Sequence, residues 1–323
     1  MVSVCIVTFK QEGFILDALK GVLNQKVSFP VEVIVADDCS PDSTREVVAP
    51  YVGKYSEFVF VKYVKHAENK GMNENFLWTL NQTKGKYVSI CEGDDYWLYP
   101  NRLNDQVEFL ETNLDYIATT SDTSYLIGKD IQSDSYMKRK AIWLKREIPK
   151  LYTEFSFKDI ASRFFPHTST WMFRNGISMP EDYTKFPIGD LPLFLALSHS
   201  GRVGYMPRLT SVYRINDVGV TNELRLVKAE EHLKDIAFMY TTLDRFFLGA
   251  RRVELVTGYK QIVESYLERG NGVSDLVLVI KCWCGFRLNL GSKCTFVEIV
   301  EISGIYFTKM LKRKLRWIIT MLR

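Results

Sequence analysis

Several things are missing from this 323-residue sequence, and each absence removes a class of protein. The turn after the first apolar run reads Thr8-Phe9-Lys10-Gln11-Glu12-Gly13. That is not the glycine-rich turn with which a dinucleotide oxidoreductase brings its backbone against a pyrophosphate. Nor is it the glycine-rich, basic phosphate loop that a nucleotidyltransferase would carry there. The six cysteines, Cys5, Cys39, Cys91, Cys282, Cys284 and Cys294, show no zinc-site spacing. Cys282-Trp283-Cys284 is too tight for a zinc knuckle and has no histidine-rich partner nearby. Reduced thiols in a cytosolic protein are the simpler reading. Lys or Arg interrupts the longest apolar runs, so no membrane-spanning helix is expected. No charged segment precedes the opening apolar run, so no signal peptide is expected, and the active part should face the cytoplasm. Basic residues are not spread over a face as nucleic-acid binding would require. The formal net charge is +4, and the last fifteen residues hold six basic residues and no acidic one.

What is present is an alternation of strand and helix signals over the first 120 residues. Val2 to Thr8, Val31 to Ala36, Phe58 to Val64 and Tyr87 to Cys91 are short apolar runs rich in β-branched residues. Between them, Phe14, Ile15, Ala18, Leu19, Val22 and Leu23 recur at helical spacing, and helices are predicted over Ser43 to Val52, Asn73 to Thr83 and Pro100 to Thr112. This rhythm predicts an α/β fold with a doubly wound, mostly parallel sheet, whose ligands gather at the carboxyl ends of the strands. Residues 129–152 read as a patternless surface insertion. Strand signals return at Thr168 to Phe173 and Val203 to Arg214, and from Asn222 onward the chain is helical in character. A boundary is expected near residue 220, separating a domain of residues 1–220 from a helical region of residues 221–323.

Two acidic clusters follow strands. One is Asp37-Asp38-Cys39-Ser40-Pro41-Asp42, the other Glu92-Gly93-Asp94-Asp95. A single such cluster is often a solvated turn. Two of them at strand ends suit a divalent cation that bridges carboxylate and phosphate oxygens, and Mn²⁺ or Mg²⁺ prefer such oxygen ligands.

In order along the chain, the opening strand with Thr8-Phe9, the Asp37-Asp38-Cys39-Ser40-Pro41-Asp42 turn, Asn69-Lys70-Gly71 with Asn75, Glu92-Gly93-Asp94-Asp95 and Gly189-Asp190 resemble the motifs of inverting, GT-A-fold glycosyltransferases of family 2. The match covers about residues 1 to 220. The resemblance implies a GT-A fold and transfer of a sugar from a nucleotide-diphosphate donor, UDP most commonly, to a hydroxyl acceptor. It implies a nucleotide site drawn from Thr8, Phe9, Glu12, Asp38, Asn69, Gly71, Asn75 and Asp94. Phe9 would lie against the base, Asp38 would accept a hydrogen bond from it, and Asp94 would touch the ribose. Asp95 would ligate Mn²⁺ or Mg²⁺, with Glu92 as a supporting carboxylate. Asp190 would be the general base, although its local sequence alone favours a helix cap. His167 and Thr168 would lie on the acceptor side, and Arg214 would contact the diphosphate. The chain departs from many relatives in having Phe9-Lys10 for Tyr-Asn and Asn216 for His.

The tail is a separate signal. Lys309, Lys312, Arg313, Arg316 and Arg323 fall on one arc of a helical wheel, with apolar residues over most of the rest. It resembles an interfacial helix that docks on anionic lipid, and helix packing on protein is the alternative. Docking would place the enzyme peripherally at the inner face of the cell membrane, near a glycan or lipid-linked acceptor in cell-surface polysaccharide assembly. A catalytically inactive sugar-binding scaffold of the same fold is the competing reading.

Overall fold

The computed structural model describes residues 1–128, 130–132, 134–144, 153–215, 229–269, 273–295 and 297–308. The chain divides into two compact units, Met1–Val220 and Thr221–Arg323.

The first unit is built on β1 (Val2–Thr8), α1 (Ile15–Leu23), β2 (Val31–Asp37), α2 (Thr44–Val48), β3 (Gly53–Lys54), β4 (Val59–Lys65), α3 (Met72–Asn81), β5 (Tyr87–Glu92), β6 (Tyr96–Trp97), α4 (Arg102–Thr112) and β7 (Tyr116–Ile127). It continues with β8 (Asp130–Gln132), α5 (Tyr136–Trp143), β9 (Glu154–Phe155), α6 (Phe157–Ala161), β10 (Met172–Arg174), α7 (Asp190–Ser200) and β11 (Arg202–Ile215). The strands form one sheet in the order β3-β4-β2-β1-β5-β10-β7-β11-β6. β4, β2, β1 and β5 run parallel, and β11 runs parallel to β7. β10 is antiparallel to both β5 and β7, so all six longer strands point the same way. The mostly parallel sheet read from the sequence is therefore present.

Burial explains the pattern. β1 and β2 are covered on both faces, as parallel strands of an α/β sheet must be. α1 buries Ile15, Ala18, Leu19, Val22 and Leu23, a single stripe at helical period, against Val4, Ile6 and Val33 of the core.

Two expectations need correction. Residues 129–152 are not patternless: α5 forms there, capped from a distance. Its N-cap Ser135 accepts from the Lys138 amide, while Asp122 of β7 accepts from the Ser135 hydroxyl and from the Met137 amide at 3.2 Å. The strand expected over Thr168 to Phe173 starts only at Met172. Thr168–Thr170 is a 3₁₀ turn, closed by the Thr170 amide and hydroxyl, which both donate to the His167 carbonyl.

The second unit contains α8 (Ala229–Phe246), α9 (Arg252–Arg269), α10 (Val273–Asn289) and α11 over residues 297–308. Its core stacks Tyr259 on Trp283 and Phe286, and the Tyr259 hydroxyl donates to the Leu233 carbonyl at 3.1 Å. Among the described residues no helix is long and apolar enough to cross a membrane. The basic tail, residues 309–323, lies outside the described residues.

Candidate active site

The carboxyl ends of β1, β2 and β5 lie side by side, and the loops that leave them are latched together. The Glu12 carboxylate accepts from the Ser43 amide at 2.7 Å, and the Asp42 carboxylate accepts from the Glu12 amide at 3.1 Å. The Lys10 amide donates to Ser40 Oγ. Asp37 braces its own turn, accepting from the Ser40 amide at 2.7 Å and from the Tyr63 hydroxyl. Asp38 is buried, and its two oxygens accept from the amides of Lys70 and Gly71 at 2.7 and 2.9 Å. Asn69 returns the contact by donating to the Asp38 carbonyl. Gly71 has φ +85°, the left-handed region that lets both amides face one carboxylate. Asn75 is also buried, donating to the Ala36 carbonyl and bonding His66 Nε2, so it pins α3 to the end of β2. Thr8 donates to the Gln11 side chain. Phe9 stands open, 39% exposed, with Lys10 Nζ 4.8 Å from its ring centre.

The turn after β5 is packed hard against β1. A Cβ on Gly93 would lie 2.9 Å from the Val7 carbonyl and 3.0 Å from Thr8 Cβ. That close approach carries Glu92, Asp94 and Asp95 onto the end of the sheet. Asp95 is 1% exposed; its Oδ1 accepts from the Arg214 amide at 3.0 Å and its Oδ2 from the Ser169 hydroxyl at 2.8 Å. His167 Nδ1 lies 3.3 Å from Asp95 Oδ2, and its Nε2 lies 3.7 Å from Glu92 Oε2. Glu92, Asp95 and His167 thus offer three ligand atoms within 4.8 Å of one another.

The electrostatics of this trio are strained. Burial, followed by the charges of Asp95, Asp94 and Asp190, pushes the Glu92 carboxyl well above the usual range. Burial and then Asp94 do the same to Asp95, against the lowering influence of the Arg214 amide and Ser169. Burial, helped by the positive charge of Lys140, drives the His167 imidazole down to about 3. The Ser169 amide donates to His167 Nδ1 at 3.4 Å, so the neutral ring turns the lone pair of that nitrogen toward the side where Asp95 Oδ2 lies. A divalent cation would relieve that repulsion and the carboxylate crowding together. Two carboxylates and an imidazole form a donor set that suits Mn²⁺.

Asp190 is the first residue of α7, not its cap; Gly189 holds the cap position. Its Oδ1 accepts from the Leu191 amide at 2.7 Å. Its charge is felt at Glu92, Tyr136, Lys140 and Tyr183. Thr168 opens the 3₁₀ turn next to His167. Arg214 is anchored: its Nε donates to the Asp94 carbonyl at 2.9 Å and its guanidinium pairs with Asp17 at 2.8 Å, over the Phe14 ring.

A model of the family described as Glycosyl transferase family 2 matches residues 3–178. The chain belongs to that family. An uncharacterised protein of Mycobacterium tuberculosis is 29% identical over 224 residues, which are 68% of this chain and 60% of that protein. The chain therefore spans about three fifths of the length of that relative. TuaG of Bacillus subtilis, named for teichuronic acid biosynthesis, is 34% identical over 111 residues, 34% of this chain and 42% of TuaG. S. aureus TarS in complex with UDP-GlcNAc is similar in structure, with TM-score 0.58 at 16% identity, covering 97% of this chain and 91% of that one. A mannosyltransferase from Pyrobaculum calidifontis, in complex with GDP-Man and Mn²⁺, has TM-score 0.50 at 13% identity, covering 95% and 86%. The likeness shows a GT-A fold.

Within this family member, the structure adds residues that sequence reading passed over. Ser169 holds Asp95, Tyr136 packs on His167 at 5.4 Å, and Tyr213 lies 4.4 Å from the same ring. Lys140 and Tyr136 come from α5, whose Ser135 cap is completed by Asp122 of β7.

Proposed function

We propose that residues 1–220 are the catalytic domain of a metal-dependent, inverting glycosyltransferase. It transfers a sugar from a nucleotide-diphosphate donor, UDP-linked in the first instance, to a hydroxyl of a glycan or lipid-linked acceptor in cell-surface polysaccharide assembly. The observation that carries this reading is the gathering of Glu92, Asp95 and His167 within 4.8 Å of one another at the end of β5, with the charge of Asp190, at the start of α7, reaching Glu92. A base and a cation site are then within reach of one reacting centre.

The exposed Phe9 face receives the base, and the Asp38 turn closes over its edge through the loop it holds. Asp94 lies where a ribose would reach. Asp95, Glu92 and His167 would hold Mn²⁺ or Mg²⁺, which when bound offsets the negative charge of the leaving diphosphate. Arg214, fixed by Asp17 and the Asp94 carbonyl, holds this turn in place and adds positive charge beside it. Asp190 accepts the acceptor's proton as its oxygen attacks the anomeric carbon from the face opposite the leaving group. The acceptor hydroxyl acidifies only as the new bond forms, so an ordinary carboxylate suffices. The basic tail would bring the enzyme to an anionic membrane surface at the inner face of the cell membrane; this part of the reading rests on sequence alone.

The deciding experiment is a thermal-shift screen of UDP, GDP, dTDP and CDP, each with and without Mn²⁺. Stabilisation by one nucleotide, dependent on the metal and lost in Asp95→Ala, supports donor binding and names the base. Absence of any shift on folded protein would turn the reading toward an inactive scaffold.

A further inference from the structure

Tyr136 and Lys140 stand one turn apart on α5 and so share a face. Lys140 Nζ donates to the Phe165 carbonyl at 3.0 Å and to the Tyr136 hydroxyl at 3.2 Å, and lies 3.8 Å from the Phe165 ring centre. Phe165 packs edge-on against Phe194, one turn along α7 from Asp190. Tyr136 packs against His167. Lys140 is therefore linked through Phe165 and Phe194 to the helix that carries Asp190, and through Tyr136 to His167 of the trio. Arg163 joins it from the loop after α6, in a left-handed backbone conformation at φ +60°, with its guanidinium over the Trp143 ring at 6.0 Å.

Among the described residues, neither cation has a carboxylate within ion-pair distance. Each also opposes the other: burial first, and then Arg163, lowers the Lys140 amine to about 7, with Asp190 only partly restoring it. Two partly buried cations that repel each other, with no ion-pair partner among the described residues, are costly for the free protein. They are complementary to an anion that arrives from outside. The donor diphosphate already has the acidic trio and its cation as partners, so a second anion is called for. Trp143, 51% exposed, adds a flat face of the kind on which sugar rings stack.

We propose that Lys140 and Arg163 form the anion-binding end of the acceptor subsite, so that the acceptor bears a phosphate or carboxylate close to the hydroxyl that attacks. This rests on the assignment of Asp190 as the base. It makes the α5 segment a determinant of acceptor specificity, with Arg163 recognising the anion through its planar fork and Lys140 as a point charge.

The test is a calorimetric titration of the full chain, saturated with UDP and Mn²⁺, by glycerol phosphate, by glucuronate and by uncharged glycerol. At least one anion should bind roughly tenfold tighter than glycerol, and that preference should weaken about fivefold in Lys140→Gln and in Arg163→Gln. Lys140→Arg should restore it, and UDP affinity should stay unchanged in all three variants. Equal binding of anions and glycerol by the wild-type protein would overturn the proposal without any variant. So would a parallel loss of UDP affinity in both Gln variants, because the cations would then serve the donor diphosphate. If UDP itself fails to bind, the donor reading falls; the same titrations on nucleotide-free protein still decide the anion site.

Discussion

His167 Nδ1 sits 3.3 Å from Asp95 Oδ2, with both side chains withdrawn from solvent and the imidazole held neutral. A neutral ring is the form that ligates metal, and it is present across the physiological pH range. His167→Ala is expected to weaken Mn²⁺ binding by about tenfold or more, in line with losses seen when metal-site residues are removed. The check is the Mn²⁺ concentration needed to raise the melting temperature at fixed UDP. A variant that responds to Mn²⁺ as the wild type does would remove His167 from the ligand set and leave only the carboxylates.

Asp190 differs in kind from these residues, because it makes no contact that holds the trio together. Among the described residues its hydrogen bond is to the Leu191 amide next to it. Asp190→Asn keeps that acceptor and removes the base. Transfer should fall by roughly 10²–10⁴-fold, the usual contribution of a general base, while UDP and Mn²⁺ stabilise the protein as before. Undiminished turnover in Asp190→Asn would require another base.

The core around β1, α1 and β2 was legible because it obeys simple periods. Ile15, Ala18, Leu19, Val22 and Leu23 repeat as a helix face, and β1 and β2 are unbroken apolar runs. β7 was not legible, and the reason is chemical. Its inward residues include Thr120, Ser121 and Thr123, which look like loop residues in a hydropathy reading. In the fold each hydroxyl finds another: Thr120 with Thr170 at 2.6 Å, Ser121 with Thr210 at 2.6 Å and Thr123 with Ser211 at 2.8 Å. Polar side chains paired in this way can be buried at little cost. α5 escaped for a related reason, since its cap is completed by Asp122 of β7 across the intervening turn.

The site residues divide along the same line. The acidic turns could be read locally because strand ends are where ligands gather. What Asp38 does could not, because its partners, the Lys70 and Gly71 amides, are more than thirty residues away. Lys140 and Arg163 had no local signature at all.

Gly93 gives a stability test of the same architecture. Its backbone conformation is not the left-handed one, so the constraint is space alone. In Gly93→Ala the new methyl meets the end of the Gln11 side chain, which can swing away, and also the Val7 carbonyl at 2.9 Å and Thr8 Cβ at 3.0 Å, which are backbone or fixed to it and cannot. A loss of about 1–3 kcal/mol is expected by urea unfolding, together with weaker Mn²⁺ binding as the turn lifts off β1. Wild-type stability in this variant would mean that the turn has more room than its packing implies.

Lys140 supplies a prediction in pH. Its ordinary value is 10.5, and burial brings it to about 7 in the folded chain. Between those values the unfolded chain holds a proton that the folded chain has released. Stability attributable to this group must therefore rise with pH through that window and be level below it. Lys140→Met keeps the length of the side chain but cannot titrate. The difference in unfolding free energy, wild type minus Lys140→Met, should grow from pH 7 to pH 10, because other titrating groups cancel between the two proteins. A bound phosphate would hold the proton on Lys140, so glycerol phosphate should flatten that slope in the wild type and leave the variant unchanged. If the two proteins show the same pH profile, Lys140 is hydrated in the folded state, and its role as a preformed, partly desolvated anion site is lost.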